Sequence, residues 1–101
     1  MLMIDDIIAT AGTAAEACKL VREQGAKRII LAGTHPVLCG KAVGRLAESA
    51  IDHLAVADTI PLPDPVRAKL RGLTVLTVSE LLGEAIRRIH RNESVSSLFM
   101  K

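Results

Sequence analysis

Short apolar runs alternate with segments of helical spacing along the chain. Continuous apolar runs and runs rich in β-branched residues predict four strands, at 1–4, 28–32, 53–57 and 73–78. Apolar residues spaced three and four apart predict three helices, over 13–24, about 40–49 and 80 to about 90. Gly25 is placed to end the first helix and Ser79 to cap the last. The predicted order of elements is therefore βαβαβ, a loop, and βα.

This alternation is typical of an α/β fold with three layers, in which a mostly parallel sheet is flanked by helices. The 101 residues suffice for one domain, so 1–101 is predicted to be a single domain. Pro61, Pro63 and Pro65 predict a loop, because proline suits neither a helix interior nor a central strand. Ligands of parallel sheets collect at the carboxyl ends of the strands. Three polar segments are expected at that edge, namely 5–6, 33–35 and 58–59.

The first predicted strand is unusually short. It has four apolar residues and is expected to stop at Asp5 or Asp6, whereas strands commonly have about five or six residues. We therefore expect the chain to be the second half of something larger. An apolar surface or sheet edge that the other half covered would then be exposed, and such surfaces recruit another chain. This predicts a homo-oligomer, most simply a symmetric dimer.

The composition of the chain argues against nucleic acids and membranes as binding partners. Phe99 is the only aromatic residue of the Phe, Trp and Tyr class, so the chain lacks platforms on which nucleic-acid bases could stack. The net charge is +2 and the basic residues are scattered. No run approaches the ~18 apolar residues of a membrane span, and no signal peptide is visible. Cys18 and Cys39 fit neither a disulfide framework nor a metal site, and we expect buried or half-buried thiols in the cytoplasm.

The segment with the clearest chemistry runs from a strand end into a helix. Asp5 and Asp6 are followed by a turn of small or hydroxyl side chains, 9–13. Such a backbone can approach a phosphate, with the amides of Ala11, Gly12 and Thr13 and the hydroxyls of Thr10 and Thr13 as donors. Gly12 is available for a positive φ if the turn needs one. Taken singly, the acids could merely end a strand and Thr13 merely cap a helix; the combination predicts a sugar-phosphate site.

These residues also resemble a known family. Residues 4–13 are similar to the phosphoribosyl-binding motif of type I phosphoribosyltransferases and ribose-phosphate pyrophosphokinases. Three further segments favour the pyrophosphokinases: 33–40 resembles their Thr-His-Gly loop, 57–61 their Thr-Asn/Asp-Thr-Ile-Pro segment, and 84–99 their carboxyl-terminal signature. The resemblance covers almost the whole chain in the right order. It implies the carboxyl-terminal half of such an enzyme, with a phosphoribosyltransferase-like α/β fold.

The resemblance implies an activity and a set of site residues. The family transfers a diphosphoryl group from ATP to ribose 5-phosphate with Mg²⁺, giving PRPP and AMP. Residues matching the ribose and 5-phosphate contacts of the family are Asp5, Asp6, Thr10, Ala11, Gly12 and Thr13. Residues matching a segment beside its regulatory nucleotide or phosphate site are Ser94, Ser96 and Phe99. Ribose 5-phosphate or PRPP is thus the implied ligand.

The sequence departs from the family pattern at two positions and in extent. Ala9 stands where many members have Asp, and Pro36 replaces the usual Gly. The half that supplies the nucleotide pocket, the basic catalytic loop and most metal ligands is not in this sequence. We therefore expect ATP to bind only with that half, assign no catalytic residue or metal ligand here, and leave open whether the chain alone is an enzyme. Lys41 is the nearest basic candidate, with a solvated helix residue as the alternative.

Three functions remain open at this point. The chain could be an enzyme part that binds ribose 5-phosphate, a non-catalytic regulatory or docking module for such an enzyme, or a small type I phosphoribosyltransferase. The third is the weakest, because only the first motif supports it. His35 could donate to a phosphate or have a structural role, and Cys39 could be a nucleophile or a packed small residue.

Overall fold

A computed structural model describes residues 1–99 as a parallel sheet with helices beside it. The strands are β1 (Leu2–Ile8), β2 (Ile30–Pro36), β3 (His53–Ala57) and β4 (Leu73–Leu76), in the spatial order β1-β2-β3-β4. The helices are α1 (Gly12–Glu23), α2 (Ala42–Glu48), α3 (Asp64–Lys69) and α4 (Ser79–His90), followed by a 3₁₀ turn at Ser96–Phe99. All three strand pairings are parallel. The predicted α/β class with a parallel sheet and flanking helices is confirmed.

The first two strands are longer than the apolar pattern predicted. β1 continues through Asp5 and Asp6 to Ile8, and β2 includes the segment 33–36, which lies beyond the strand predicted at 28–32. The cause is mutual pairing, since Ile7 lies opposite His35 and Ile8 opposite Pro36. Polar and small residues therefore enter strand structure because a neighbouring strand satisfies their backbone groups. The expected end of the first strand at Asp5 or Asp6 was wrong.

The proline-rich connection contains a helix that the sequence pattern did not predict. Pro63 is extended and precedes α3, and Pro65 occupies its first turn. Proline is tolerated there because the first amides of a helix have no intrahelical acceptor. Val66 packs against the core, and Leu70, at the end of the helix, is buried in it. The predicted loop therefore holds a short helix that contributes to the core.

Two predicted helix boundaries had opposite outcomes. Gly25 ends α1 as expected: its φ is 102°, and its amide donates to the carbonyl of Arg22 at 3.1 Å. The amide of Ala26 donates to the carbonyl of Val21 at 3.0 Å, which completes a Schellman motif. Ser79 does not cap α4. It is the first helical residue, Val78 occupies the cap position, and the amide of Ser79 donates to Oγ1 of Thr77 at 3.2 Å.

The core lies on one face of the sheet, here called the covered face. Leu31, Leu54 and Val56 point into it from the strands and are at most 2% exposed. The helices α1, α2 and α3 supply its other wall, through residues such as Ala42 and Leu46. The part of the chain that the structure describes thus forms two of the three expected layers, with the opposite sheet face open.

The last helix stands apart from this core. No residue of α4 is buried, and its apolar side chains Leu82, Ile86 and Ile89 are 54%, 68% and 66% exposed. The dimensions of 50 × 30 × 19 Å reflect an elongated rather than spherical shape. Between residues 1 and 99, no helix has the length and apolar character needed to cross a membrane.

Candidate functional site

The turn between β1 and α1 borders a cleft at the carboxyl end of β1. The cleft has a volume of about 170 Å³ and is lined by Asp5, Ile7, Ile8, Ala9, Thr10, Ala11, Gly12, Thr13, Ala14 and Leu31. It brings together five of the six residues predicted from the sequence to contact a sugar phosphate. The sixth, Asp6, is exposed and follows Asp5 in the strand, outside the cleft lining.

The backbone of the turn is set by an alanine rather than a glycine. Ala11 has φ 63° and ψ 9°, occupies the cap position of α1, and is only 6% exposed. Its carbonyl accepts the amide of Ala15 at 2.9 Å, which starts the helix. Left-handed backbone costs a non-glycine residue about 1–2 kcal/mol. Gly12, which we expected to be available for a positive φ, is not among the residues with positive φ.

The first turn of α1 presents amides toward the cleft. Thr13 was considered as a cap, but it lies inside the helix, and no side chain of the described residues caps α1. The first four amides of a helix lack intrahelical acceptors and carry the positive end of its dipole. The amides of Gly12 and Thr13 are among them, and both residues line the cleft. This arrangement suits an anion such as a phosphate.

An arginine from the neighbouring helix reaches the turn. Nη1 of Arg45, in α2, donates to the carbonyl oxygen of Thr10 at 3.1 Å. A Cβ atom added to Gly12 would lie 3.3 Å from the same nitrogen, so the missing side chain of Gly12 leaves room for the guanidinium. Arg45 could not be identified from the sequence, in which Lys41 is the nearest basic candidate. No local motif marks Arg45, because only the pairing of β1 with β2 brings α2 beside the turn.

The two carboxylates differ in their surroundings. Asp5 accepts the amide of Asp6 at 2.8 Å, and Asp6 accepts the amide of Ile7 at 2.8 Å. Hydrogen bonding with the Asp5 carboxyl, and then with the Ile7 amide, lowers the pKa of Asp6 below its usual value. Both groups are exposed, so Asp6 stays ionised at neutral pH with its outer oxygen lone pairs open to solvent. Such acceptors suit the hydroxyls of a sugar.

A histidine and a threonine connect the ends of the next two strands. Nδ1 of His35 lies 2.8 Å from Oγ1 of Thr59, whose hydroxyl lies 3.3 Å from the carbonyl oxygen of Thr34. This links the 33–35 and 58–59 segments, as expected for polar residues at one edge of a parallel sheet. His35 also lies close enough to Asp6 for its charge to contribute to the lowered pKa of that carboxyl.

The remaining candidates lie outside the cleft. Cys18 is fully buried, whereas Cys39 is exposed, which corrects the expectation that both thiols are buried or half-buried. The tail residues Ser94, Ser96 and Phe99 follow α4. The carbonyl of Ser94 accepts a hydrogen bond from Arg88 at 3.2 Å, and Phe99 is 70% exposed. Over residues 1–99 no group of three or more His, Cys, Asp or Glu side chains is placed to hold a metal ion.

Comparison with known proteins gives a consistent family. Residues 1–100 match the model of the phosphoribosyl synthetase-associated domain. The chain is 51% identical to the ribose-phosphate pyrophosphokinase of Rhodopirellula baltica over 97% of its own length and 30% of that relative. It is 45% identical to the ribose-phosphate pyrophosphokinase of Campylobacter jejuni, over 99% of the chain and 31% of the relative.

A solved structure shares the fold. The phosphoribosylpyrophosphate synthetase of Mycobacterium smegmatis matches with a TM-score of 0.84 and 42% identity, over 90% of this chain and 30% of that one. The chain therefore spans about a third of the length of these relatives, less than the half that the sequence analysis expected. By its match over 1–100, and by its identity to these enzymes, this chain belongs to the phosphoribosyl synthetase-associated domain family.

Proposed function

We propose that this chain is the ribose-5-phosphate-binding part of a ribose-phosphate pyrophosphokinase. The observation that carries the proposal is the single cleft in which Asp5 and the Thr10–Thr13 turn meet. Uncapped amides at the start of α1 and the guanidinium of Arg45 would bind the phosphate, and the carboxylates would accept the ribose hydroxyls. PRPP, which carries the same 5-phosphate and ribose, is the second ligand proposed for this cleft.

The complete reaction requires more than this chain supplies. Transfer of a diphosphoryl group from ATP needs metal ions and basic side chains around the transferred group. Mg²⁺ commonly binds through one or two carboxylates together with substrate phosphates. Asp5 and Asp6 fit such a partial ligand set, and the remaining ligands and the ATP site would come from the other two thirds of the enzyme. Diphosphoryl transfer from ATP to ribose 5-phosphate is thus proposed only for this chain together with the other two thirds of the enzyme.

Several expectations from the sequence stay predictions. The carboxyl-terminal position within the enzyme is supported by the resemblance of 84–99 to the family's carboxyl-terminal signature. A cytoplasmic location, a homo-oligomer, and a regulatory role for Ser94, Ser96 and Phe99 are predictions of the same kind. The alternative function, a docking or regulatory module without catalysis, predicts that the cleft binds no sugar phosphate.

A titration of ribose 5-phosphate followed by amide NMR separates these two functions. We expect saturable shifts at the amides of residues 10–13, and their loss or strong weakening in Asp6→Ala. Glu23→Ala, which removes an exposed carboxylate at the far end of α1, is the matched control and should bind like the unmodified chain. Absence of any shift at millimolar ligand would contradict the proposal and favour the docking module.

Arg45 offers a second test of the same site. Replacing one charge-assisted contact to a phosphate commonly costs about 1–2 kcal/mol, so Arg45→Gln should weaken ribose 5-phosphate binding roughly tenfold. Arg67→Gln is the matched control, because it makes the same substitution at an exposed arginine of α3. It should leave the affinity for ribose 5-phosphate unchanged. Calorimetric titration measures both. Equal affinities of the two variants would remove Arg45 from the site.

A further inference from the structure

The sheet face opposite the core, here called the open face, is apolar and exposed. Alternate strand residues lie on it: Leu2, Ile4, Ile30, Ala32, His53, Ala55, Ala57, Thr74 and Leu76. Leu2 and Leu76 are 59% exposed and Ile4 is 77% exposed. None of these residues belongs to the core cluster, and a shallow depression of about 200 Å³ runs across the face at its carboxyl end.

Two polar side chains of the open face, His53 and Thr74, are already paired. Nε2 of His53 lies 2.7 Å from Oγ1 of Thr74, so the two polar side chains hydrogen-bond each other. The other residues of this set are aliphatic, and no lysine or arginine lies among them. Asp5 and Thr34 also line the depression at the carboxyl end, so polar groups border the aliphatic surface there. The aliphatic part of this surface and the His53–Thr74 pair can be buried without leaving unpaired donors or acceptors. Covering the open face is therefore favourable in the same way as forming a core.

The relatives indicate what covers it. Parallel sheets are buried on both faces in almost all proteins, because their crossovers place helices there. In this chain α1, α2 and α3 all contribute to the covered face. The solved relative holds the same fold within 30% of its chain, which leaves about 70% of its polypeptide as a source of cover. The apolar stripe of α4, formed by Leu82, Ile86 and Ile89, is a second surface left exposed.

From these observations we infer that the open face is the docking surface for the other two thirds of a ribose-phosphate pyrophosphokinase polypeptide. The occupant presents an aliphatic surface to Ile4, Ala55 and Leu76, and it needs few charged groups at the centre of the contact. Asp5 lines both the depression of the open face and the sugar-phosphate cleft. The inference rests on Ile4, Ala55 and Leu76, none of which lines the cleft.

The test is co-expression of this chain with the part of the Mycobacterium smegmatis enzyme that it does not match, followed by affinity purification and light scattering. We expect a stable one-to-one complex with the unmodified chain. Ile4→Asp and Leu76→Asp should each abolish it, because each buries an unpaired carboxylate at the contact. Leu20→Asp is the matched control, since Leu20 is an exposed leucine of α1 that is 61% accessible. It should leave the complex intact.

Each other outcome overturns the inference. If the unmodified chain yields no complex, the open face does not recognise this polypeptide. If Ile4→Asp and Leu76→Asp bind as well as Leu20→Asp, the contact lies elsewhere. If the chain forms a dimer that excludes the added polypeptide and is broken by Ile4→Asp, the occupant is a second copy. Circular dichroism confirms that the variants fold, and Asp6→Ala, which tests the proposed ribose contact, should keep the complex.

Discussion

The two faces of the sheet share one backbone but differ in the solvent exposure and the packing of their side chains. On the covered face, Leu31, Leu54 and Val56 are nearly inaccessible and pack against three helices. On the open face, Ile4 and Leu76 are mostly exposed although they belong to strands of the same sheet. Side chains alternate between faces along a strand, so adjacent residues enter opposite environments. Aliphatic character alone therefore does not decide whether a residue of this sheet is buried within the chain, because only one face is covered by helices.

The largest effect on the free energy of unfolding is expected from shortening a side chain on the covered face. Leu31→Ala should lower the free energy of unfolding by about 2–5 kcal/mol, because it removes a buried side chain and leaves a cavity. Leu76→Ala, the same substitution on the open face, should change it by less than about 0.5 kcal/mol. Urea denaturation followed by circular dichroism measures both. Similar losses in the two variants would show that the isolated chain buries both faces.

A smaller effect is expected from adding a methyl group to the covered face. A Cβ at position 33 would lie 2.6 Å from Cγ1 of Ile8, which is 3% exposed and cannot move freely. Gly33→Ala should therefore destabilise the fold by about 1–3 kcal/mol. Gly83→Ala in α4 is the control. It meets no atom within 4 Å and should stabilise the helix by about 0.5–1 kcal/mol. Thermal melts that rank these variants in the opposite order would contradict the packing at Ile8.

The smallest effect on stability is expected in α4. No residue of this helix is buried, and Glu84 forms ion pairs with Arg87 and Arg88 within it. Hydrogen bonds from Arg87, and then from Arg88, lower the pKa of Glu84 to about 2. Because this pKa is depressed on folding, its contribution is complete above the usual value of 4.5. It is lost as the pH falls toward 2. We expect a slight loss of helical signal between pH 4.5 and 2, which Glu84→Gln should lack.

The control for this pH effect is Glu80→Gln. Glu80 lies in the first turn of the same helix. The Glu80→Gln variant should lose helical signal between pH 4.5 and 2 as the unmodified chain does. If Glu84→Gln shows the same loss, groups other than Glu84 cause it. Because Glu84 is near the surface, salt should weaken the effect.

The elements built from local patterns could be predicted, and those that depend on pairing could not. β3 and the end of α1 follow directly from an apolar run and a glycine with positive φ. The extension of β2 to Pro36 could not be predicted, since it depends on the register with β1. Likewise α3 forms in a proline-rich segment because Val66 and Leu70 pack against a core assembled by distant strands.

The candidate site shows the same division. Asp5 and the 10–13 turn are adjacent in sequence, so their motif could be found without a structure. Arg45 is more than thirty residues away from Thr10 and has no motif of its own. Its contribution follows from the order of β1 and β2 in the sheet. Ala11 was predicted as a site residue, but its positive φ was not, because alanine gives no sequence signal for left-handed backbone.

The unequal accessibility of the two thiols makes Cys39 the expected site for covalent labelling of the unmodified chain. Burial raises the pKa of the Cys18 thiol and leaves it unreactive, while Cys39 is exposed and its amide donates to the carbonyl of Ala9 at 3.0 Å. A maleimide fluorophore should therefore attach at one position, beside the turn that borders the cleft. If ribose 5-phosphate binds in the cleft as proposed, emission from that dye should change on titration, with no engineered cysteine.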